Sequence, residues 1–109
     1  MEFRRPSYFA LAALIDGPLH GYAIVRRASE LSEGAVRLST GTLYALLERA
    51  LDDGLVVAGK PYRKSGRTRR DYTLTGLGRR ELEAEAERLS NAGRTVRRQL
   101  RATARLASQ

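Results

Sequence analysis

The stretch Leu55-Val56-Val57-Ala58-Gly59-Lys60-Pro61-Tyr62-Arg63-Lys64-Ser65-Gly66-Arg67-Thr68-Arg69-Arg70-Asp71-Tyr72-Thr73-Leu74 decides the fold. The β-branched run Leu55–Lys60 predicts a strand, Ser65-Gly66 marks a turn within 61–68, and Arg69–Leu74 predicts a returning strand with Tyr72 and Leu74 on one face. This is a hairpin with a long basic tip. Lys60, Arg63, Lys64, Arg67, Arg69 and Arg70 fall within it, with no acidic residue among them. Charges can guard an edge strand against unwanted pairing, but one or two suffice for that. A larger uncompensated set favours a nucleic acid, through its phosphates or its minor groove.

Working upstream, Thr40–Asp53 predicts a helix, with Ser39 as its N-cap, Gly54 as its stop, and Leu43, Leu46, Leu47, Ala50 and Leu51 on its core side. Val36 and Leu38 alternate around Arg37, which predicts a very short strand. Ser32-Glu33-Gly34 ends an earlier helix running from about His20 to Leu31. Tyr22, Ala23, Ile24, Ala28 and Leu31 point inward on that helix, and Arg26, Arg27 and Glu30 outward. The His20 side chain is expected to cap it, with no carboxylate or second histidine nearby to make it a base or a ligand. A first helix, about Pro6 to Ile15, is apolar almost all round and stops at Asp16-Gly17-Pro18.

Working downstream, Thr75 caps a final helix reaching about Leu106. Its stripe of Leu82, Ala86, Leu89, Gly93, Val96 and Leu100 repeats at alternating spacings of four and three, the pattern of a helix-pairing seam. Ser90-Asn91-Ala92-Gly93 carries break residues, so a kink or split there is an open alternative. The fold class that follows is mainly α with a small β-hairpin. It consists of a winged helix-turn-helix over 1–74 and a C-terminal dimerisation helix over 75–109.

Composition narrows the function. A formal net charge of +8 on 109 residues, with a pI near 10.8, asks for an anionic partner. The absence of cysteine excludes disulfides, thiolate zinc sites and cysteine nucleophiles, and fits a cytoplasmic location. A single histidine leaves no histidine pair for metal or acid–base work. The carboxylates Asp52-Asp53 and Glu81/Glu85 are expected at helix ends or on exposed faces, so no enzyme, metal or cofactor is expected. Arg4 and Arg5 before the apolar run Tyr8–Ile15 superficially suggest a signal peptide. The run is too short to span a membrane, and Asp16-Gly17-Pro18 follows it in place of a cleavage site, so no membrane partner is expected. Five tyrosines, two phenylalanines and no tryptophan offer little on which to stack unpaired bases, which favours double-stranded over single-stranded nucleic acid.

The candidate DNA-contacting residues are Ser39, Thr40, Thr42 and Tyr44 at the start of the third helix and Lys64, Arg67, Arg69 and Arg70 on the hairpin. Helices after such a turn put their first turns in the major groove, where small hydroxyl residues permit close approach. On the sequence alone, Ser39 and Thr40 can equally be caps and Tyr44 a core residue. On the last helix, Leu82, Ala86, Leu89, Val96 and Leu100 are the candidate dimer interface. Arg94, Arg98, Arg101 and Arg105 form a solvated face opposite Val96 and Leu100.

Four stretches resemble the PadR family of bacterial winged-helix transcriptional regulators: Gly17–Tyr22, Leu38–Tyr44, Leu51–Val56 and Gly66–Gly78, in the family's order. A single helix after the wing is similar to the family's smaller subgroup. The resemblance implies a homodimer that binds a double-stranded operator, usually as a repressor, and that a small apolar or aromatic effector relieves. It also implies that Ser39–Tyr44 lie on the recognition helix and Arg67, Arg69 and Arg70 on the wing. The effector would sit between the first and last helices at the dimer seam, faced by Ser7, Tyr8, Leu89 and Gly93. The chain has no tryptophan to sandwich a planar ligand, and its wing is unusually basic. A winged-helix protein adaptor and a non-specific nucleic-acid-binding protein are the alternatives.

Overall fold

The computed structural model describes residues 1–108. In chain order the elements are α1 (Arg5–Ala12), β1 (Leu19–His20), α2 (Gly21–Leu31), α3 (Thr40–Asp52), β2 (Val56–Ala58), β3 (Tyr62–Lys64), β4 (Arg67–Arg69), β5 (Asp71–Leu74) and α4 (Gly76–Ala107). This is the expected mainly α fold with small antiparallel sheets. β5 lies between β1 and β2, pairing Leu19 with Tyr72 on one edge and Val56 with Leu74 on the other.

The core is the apolar side of α1, α2 and α3 closed by one face of β2 and β5. Leu11, Leu14, Ile24, Leu46, Leu47 and Val56 are its largest fully buried side chains. Thr75 joins sheet to α4. Its hydroxyl donates to the Gly54 carbonyl at 2.7 Å and accepts from the Gly78 amide at 2.9 Å, capping α4 against the end of α3. Gly78 then lets the α4 backbone lie on β2, because any Cβ there would collide with the Leu55 carbonyl. The first turns of α4, through buried Leu82, therefore belong to the core.

Several sequence expectations need correction. Helix α1 ends at Ala12, and the chain tightens into i→i−3 bonds from Leu14 to Leu11 and Ile15 to Ala12 before Gly17. The short strand is Leu19–His20, not Val36–Leu38. Val36 and Leu38 are buried and Arg37 is exposed, so their alternation reports burial; both edges of β5 are already taken, and no strand among the described residues pairs with them. His20 occupies the N-cap position of α2, but its side chain makes no capping bond. On α2, Ile24 and Ala28 are buried as expected, whereas Tyr22 is 67% exposed. The hairpin strands are shorter than expected, and the tip is not a loop. It is a ribbon of its own, β3 paired with β4.

Helix α4 runs unbroken through Ser90–Gly93. Ser and Asn weaken helices by bonding nearby backbone, but here Arg94 takes up both side chains, donating to Ser90 Oγ at 2.9 Å and to Asn91 Oδ1. At 1.5 Å per residue the helix is about 48 Å long. It gives the chain a longest dimension of 68 Å against widths of 26 and 22 Å.

Candidate nucleic-acid interface

Helix α3 presents two faces. Leu43, Leu46, Leu47 and Ala50 hold it to the core. Thr40, Gly41, Tyr44 and Ala45 face solvent. Ser39 is the cap that the sequence suggested: its Oγ accepts from the Thr42 amide at 3.2 Å and donates to Thr42 Oγ1 at 3.0 Å. Both hydroxyls are thus engaged with each other, and Thr40 is left free at the helix start. Tyr44 is 49% exposed and is not a core residue.

The wing is ordered by its turn. Lys64 pairs with Arg67 across Ser65-Gly66, and both turn residues have positive φ, +54° and +77°. Two left-handed residues in a two-residue loop twist with the flanking strands, and glycine accepts that backbone without strain. A second tie sits at the base. The Tyr62 hydroxyl donates to Asp71 Oδ1 at 2.7 Å, which holds β3 beside the start of β5. This bond to the carboxylate raises the Tyr62 pKa above the usual phenol value. None of Lys60, Arg63, Lys64, Arg67, Arg69 and Arg70 is in an ion pair among the described residues, and all but half-buried Arg69 are exposed.

Wing and helix share a cleft of about 700 Å³. Tyr44 lines it from α3, His20, Gly21 and Tyr22 from the start of α2, and Arg67, Arg69 and Arg70 from the wing. Tyr72 forms part of the wall, and burial, then the neighbouring Tyr44 phenol, raises its pKa. Gly21 is the residue whose role the sequence reading did not foresee. A Cβ there would stand 2.9 Å from the Tyr44 hydroxyl and 3.3 Å from Leu43 Cδ2, so the bare glycine is the seat of the Tyr44 ring. In the sequence Gly21 stands out only within the family motif Gly17–Tyr22, because α2 and α3 come together here only after folding. Thus Tyr44, Arg67, Arg69 and Arg70 meet at one cleft, while Ser39, Thr40, Thr42 and Lys64 do not line it.

The residues expected at an effector site are not all brought together. Tyr8 lines a groove of about 290 Å³ with Ala12, Ile15, Leu82 and Ala86. Ser7 is buried and lines a different cavity beside Arg49 and Asp52. Leu89 and Gly93 lie farther along α4 and line neither. Of the seam residues, Leu82 is 5% exposed within its own chain, whereas Leu89, Val96 and Leu100 are 51%, 57% and 64% exposed. The described residues hold no cluster of histidine, cysteine or carboxylate side chains suited to a metal, and no helix long and apolar enough to cross a membrane.

A helix pair joined by the connection 32–39, with a basic β-ribbon beside its second helix, defines a winged helix-turn-helix. The chain belongs to the PadR-like family of transcriptional regulators, whose pattern matches residues 10–84. Over 80 residues, 73% of this chain, it is 42% identical to a 37.1 kDa protein of transposon TN4556 from Streptomyces fradiae, and the match spans 21% of that protein. Over 81 residues, 74% of this chain and 72% of the relative, it is 37% identical to the transcriptional regulator Rv3488 of Mycobacterium tuberculosis. It superposes on the crystal structure of Bacillus subtilis PadR in complex with operator DNA with a TM-score of 0.67. That likeness covers 76% of this chain and 48% of that one at 25% identity.

Proposed function

We propose that the protein is a dimeric, sequence-specific regulator of transcription that binds double-stranded DNA through α3 and the wing and acts as a repressor. One observation carries the reading: the half-exposed Tyr44 and the cations Arg67, Arg69 and Arg70 line the same cleft, and no acidic side chain pairs with those cations among the described residues. Cations left free on a folded ribbon suit phosphates, whose contact releases condensed counterions. A helix start with small side chains suits the major groove. Ser39, Thr40, Thr42 and Lys64 are assigned to the same interface, Thr40 and Lys64 as phosphate contacts beside the cleft and Ser39 and Thr42 as the cap that orients them. The solved DNA complex of Bacillus subtilis PadR supports the partner.

Dimerisation is assigned to α4, from the exposed stripe Leu89, Val96 and Leu100. A small apolar or aromatic effector is assigned to the groove between α1 and α4, whose volume of about 290 Å³ is at the lower end for a ligand pocket. Such an effector relieves repression only if it binds the DNA-free form more tightly than the bound form.

Selection from a random duplex library tests the reading. The expected product is one pseudo-palindromic site whose half-sites lie about 34 Å apart, one helical turn. Placed over a reporter promoter, that site should lower expression when the protein is present. Failure to enrich any sequence would remove the proposed function, leaving a non-specific nucleic-acid-binding protein if random duplex is still retained and the adaptor if it is not.

A further inference from the structure

Tyr72 is the least exposed polar side chain in the wall of the cleft between α3 and the wing. It stands on β5, paired with Leu19 on one edge and with Ala58 on the other, and only 7% of it is exposed. Yet its hydroxyl takes part in no hydrogen bond among the described residues. On side chains that are not exposed, every fully buried nitrogen or oxygen among those residues has a partner. The Tyr72 hydroxyl is therefore the part of the side chain that reaches the cleft, while the ring is sealed in the wall. A polar group brought to a cleft on an otherwise buried ring, with no partner in its own chain, calls for a partner from outside.

The groups around it share one preference. Burial, then the neighbouring Tyr44 phenol, raises the Tyr72 pKa, and the Arg70 guanidinium opposes the rise, so both groups lie near the hydroxyl. The Tyr72 phenol stays protonated at neutral pH and can donate. The Tyr44 hydroxyl, lodged above Gly21, is also in no hydrogen bond among the described residues, and Arg70 has no ion pair there. No acidic side chain lines the cleft. Asp71, the acid next in sequence, falls on the other side of β5 by strand alternation and accepts from the Tyr62 hydroxyl.

We propose that the hydroxyls of Tyr72 and Tyr44 and the guanidinium of Arg70 form a seat for one phosphate of the DNA backbone. The proposal rests on the DNA-binding function above and adds to it a contact drawn from the sheet. Two hydroxyl donors beside a guanidinium fit an anion whose oxygens accept several hydrogen bonds at once. Position also favours phosphate over base. Base edges form the floor of the groove that α3 enters, whereas the strand passing between α3 and the wing turns its phosphates toward β5. A free anion would fill the seat and leave the rest of the wall unused. Arg67 and Arg69 continue that wall without ion pairs, which suits further phosphates of the same strand.

Tyr72→Phe removes one oxygen and keeps the buried ring. Because the hydroxyl bonds to nothing in the chain, melting temperature and helical content should not change. On the duplex selected above, affinity should fall roughly tenfold, the worth of one hydrogen bond to a charged group. The slope of log affinity against log salt should stay the same, since no cation has been lost. Duplexes that each carry a single neutral methylphosphonate linkage then locate the contact. The difference between wild type and Tyr72→Phe should persist on all of them except the one per half-site whose linkage occupies the seat, where it should shrink to about twofold or less.

Equal affinity of the two proteins for the unmodified duplex would overturn the seat and leave the DNA-binding function standing. A difference that persists on every modified duplex would mean that the hydroxyl acts through the fold, and would overturn the seat, as would a lower melting temperature. A wild-type protein that selects no duplex would overturn the seat and the function beneath it together.

Discussion

The wing and the distal half of α4 are both exposed and both basic, yet the partners proposed for them differ. Between Lys60 and Arg70 the wing has six cations, and its apolar side chains are Pro61 and Tyr62 alone. A two-residue turn and one Tyr62–Asp71 hydrogen bond hold it in shape. The distal half of α4 has cations too, but they flank the exposed apolar residues Leu89, Val96 and Leu100. Cations without apolar neighbours gain little from a protein surface and much from a charged polymer. An apolar stripe gains little from DNA and more from another apolar surface, which is why dimerisation is proposed for it. Position in the chain does not separate these roles; the residues lying between the charges do.

The sharpest way to break this contrast is to put charge into the stripe. Leu89→Asp sets two carboxylates in the proposed seam, at a cost of about 3 kcal/mol or more for each unpaired buried charge. The dimer should weaken more than a hundredfold, read by sedimentation. Helical content should be unchanged, because Leu89 has no contact with the core to lose. A stable dimer in this variant would move the interface elsewhere.

Next in size is Gly78→Ala, which affects neither partner directly. The added Cβ meets the Leu55 carbonyl, which is backbone and cannot swing aside. A loss of about 2–3 kcal/mol is expected, read as a melting temperature lower by roughly 4–8 °C per kcal/mol. The surviving folded protein should still bind DNA.

Gly21→Ala should do the opposite. The atom in the way is the end of the Tyr44 side chain, which can move, so stability should change by less than about 0.5 kcal/mol. DNA affinity should fall by about tenfold, the worth of one hydrogen bond to a charged group. Combined with Tyr44→Phe, it should cost little more than either change alone. Additive losses would mean that Gly21 acts through the fold and not through Tyr44.

The smallest effect concerns the tie at the base of the wing. The Tyr62 pKa is raised by its bond to Asp71, so the neutral phenol is the form the fold favours. Its contribution is complete below the unfolded phenol value of about 10 and is lost as the pH rises through the higher folded value. Tyr62→Phe should remove this alkaline dependence and slightly loosen the wing, read as faster amide exchange across β3 and β4. Unchanged exchange would make the tie incidental.

Much of the fold was legible in the sequence because its cues are local. Ser39 and Thr75 announce two helices as caps, Ser65-Gly66 announces the turn, and the spacing of Leu43, Leu46, Leu47 and Ala50 announces the core face of α3. The errors lie where distant residues decide. Val36-Arg37-Leu38 has the alternation of a strand but no partner, whereas Leu19-His20 has no strand signature and is made one by the free edge of β5. Ser90–Gly93 reads as a break only until Arg94 occupies its polar side chains. The cleft was half legible. Its cations could be counted from the sequence, but the seat that Gly21 offers Tyr44 exists only when α2 crosses α3.

The claim on which the rest depends is that the wing cations meet DNA phosphates. The most direct test is the slope of log affinity against log salt on the selected duplex, for wild type and for the triple variant Arg67→Ala, Arg69→Ala, Arg70→Ala. With about 0.9 released counterions per phosphate contact, the slope should become shallower by roughly 2.7 while sedimentation still shows the dimer. The same slope in both proteins would mean that the wing is only solvated, and would contradict the account.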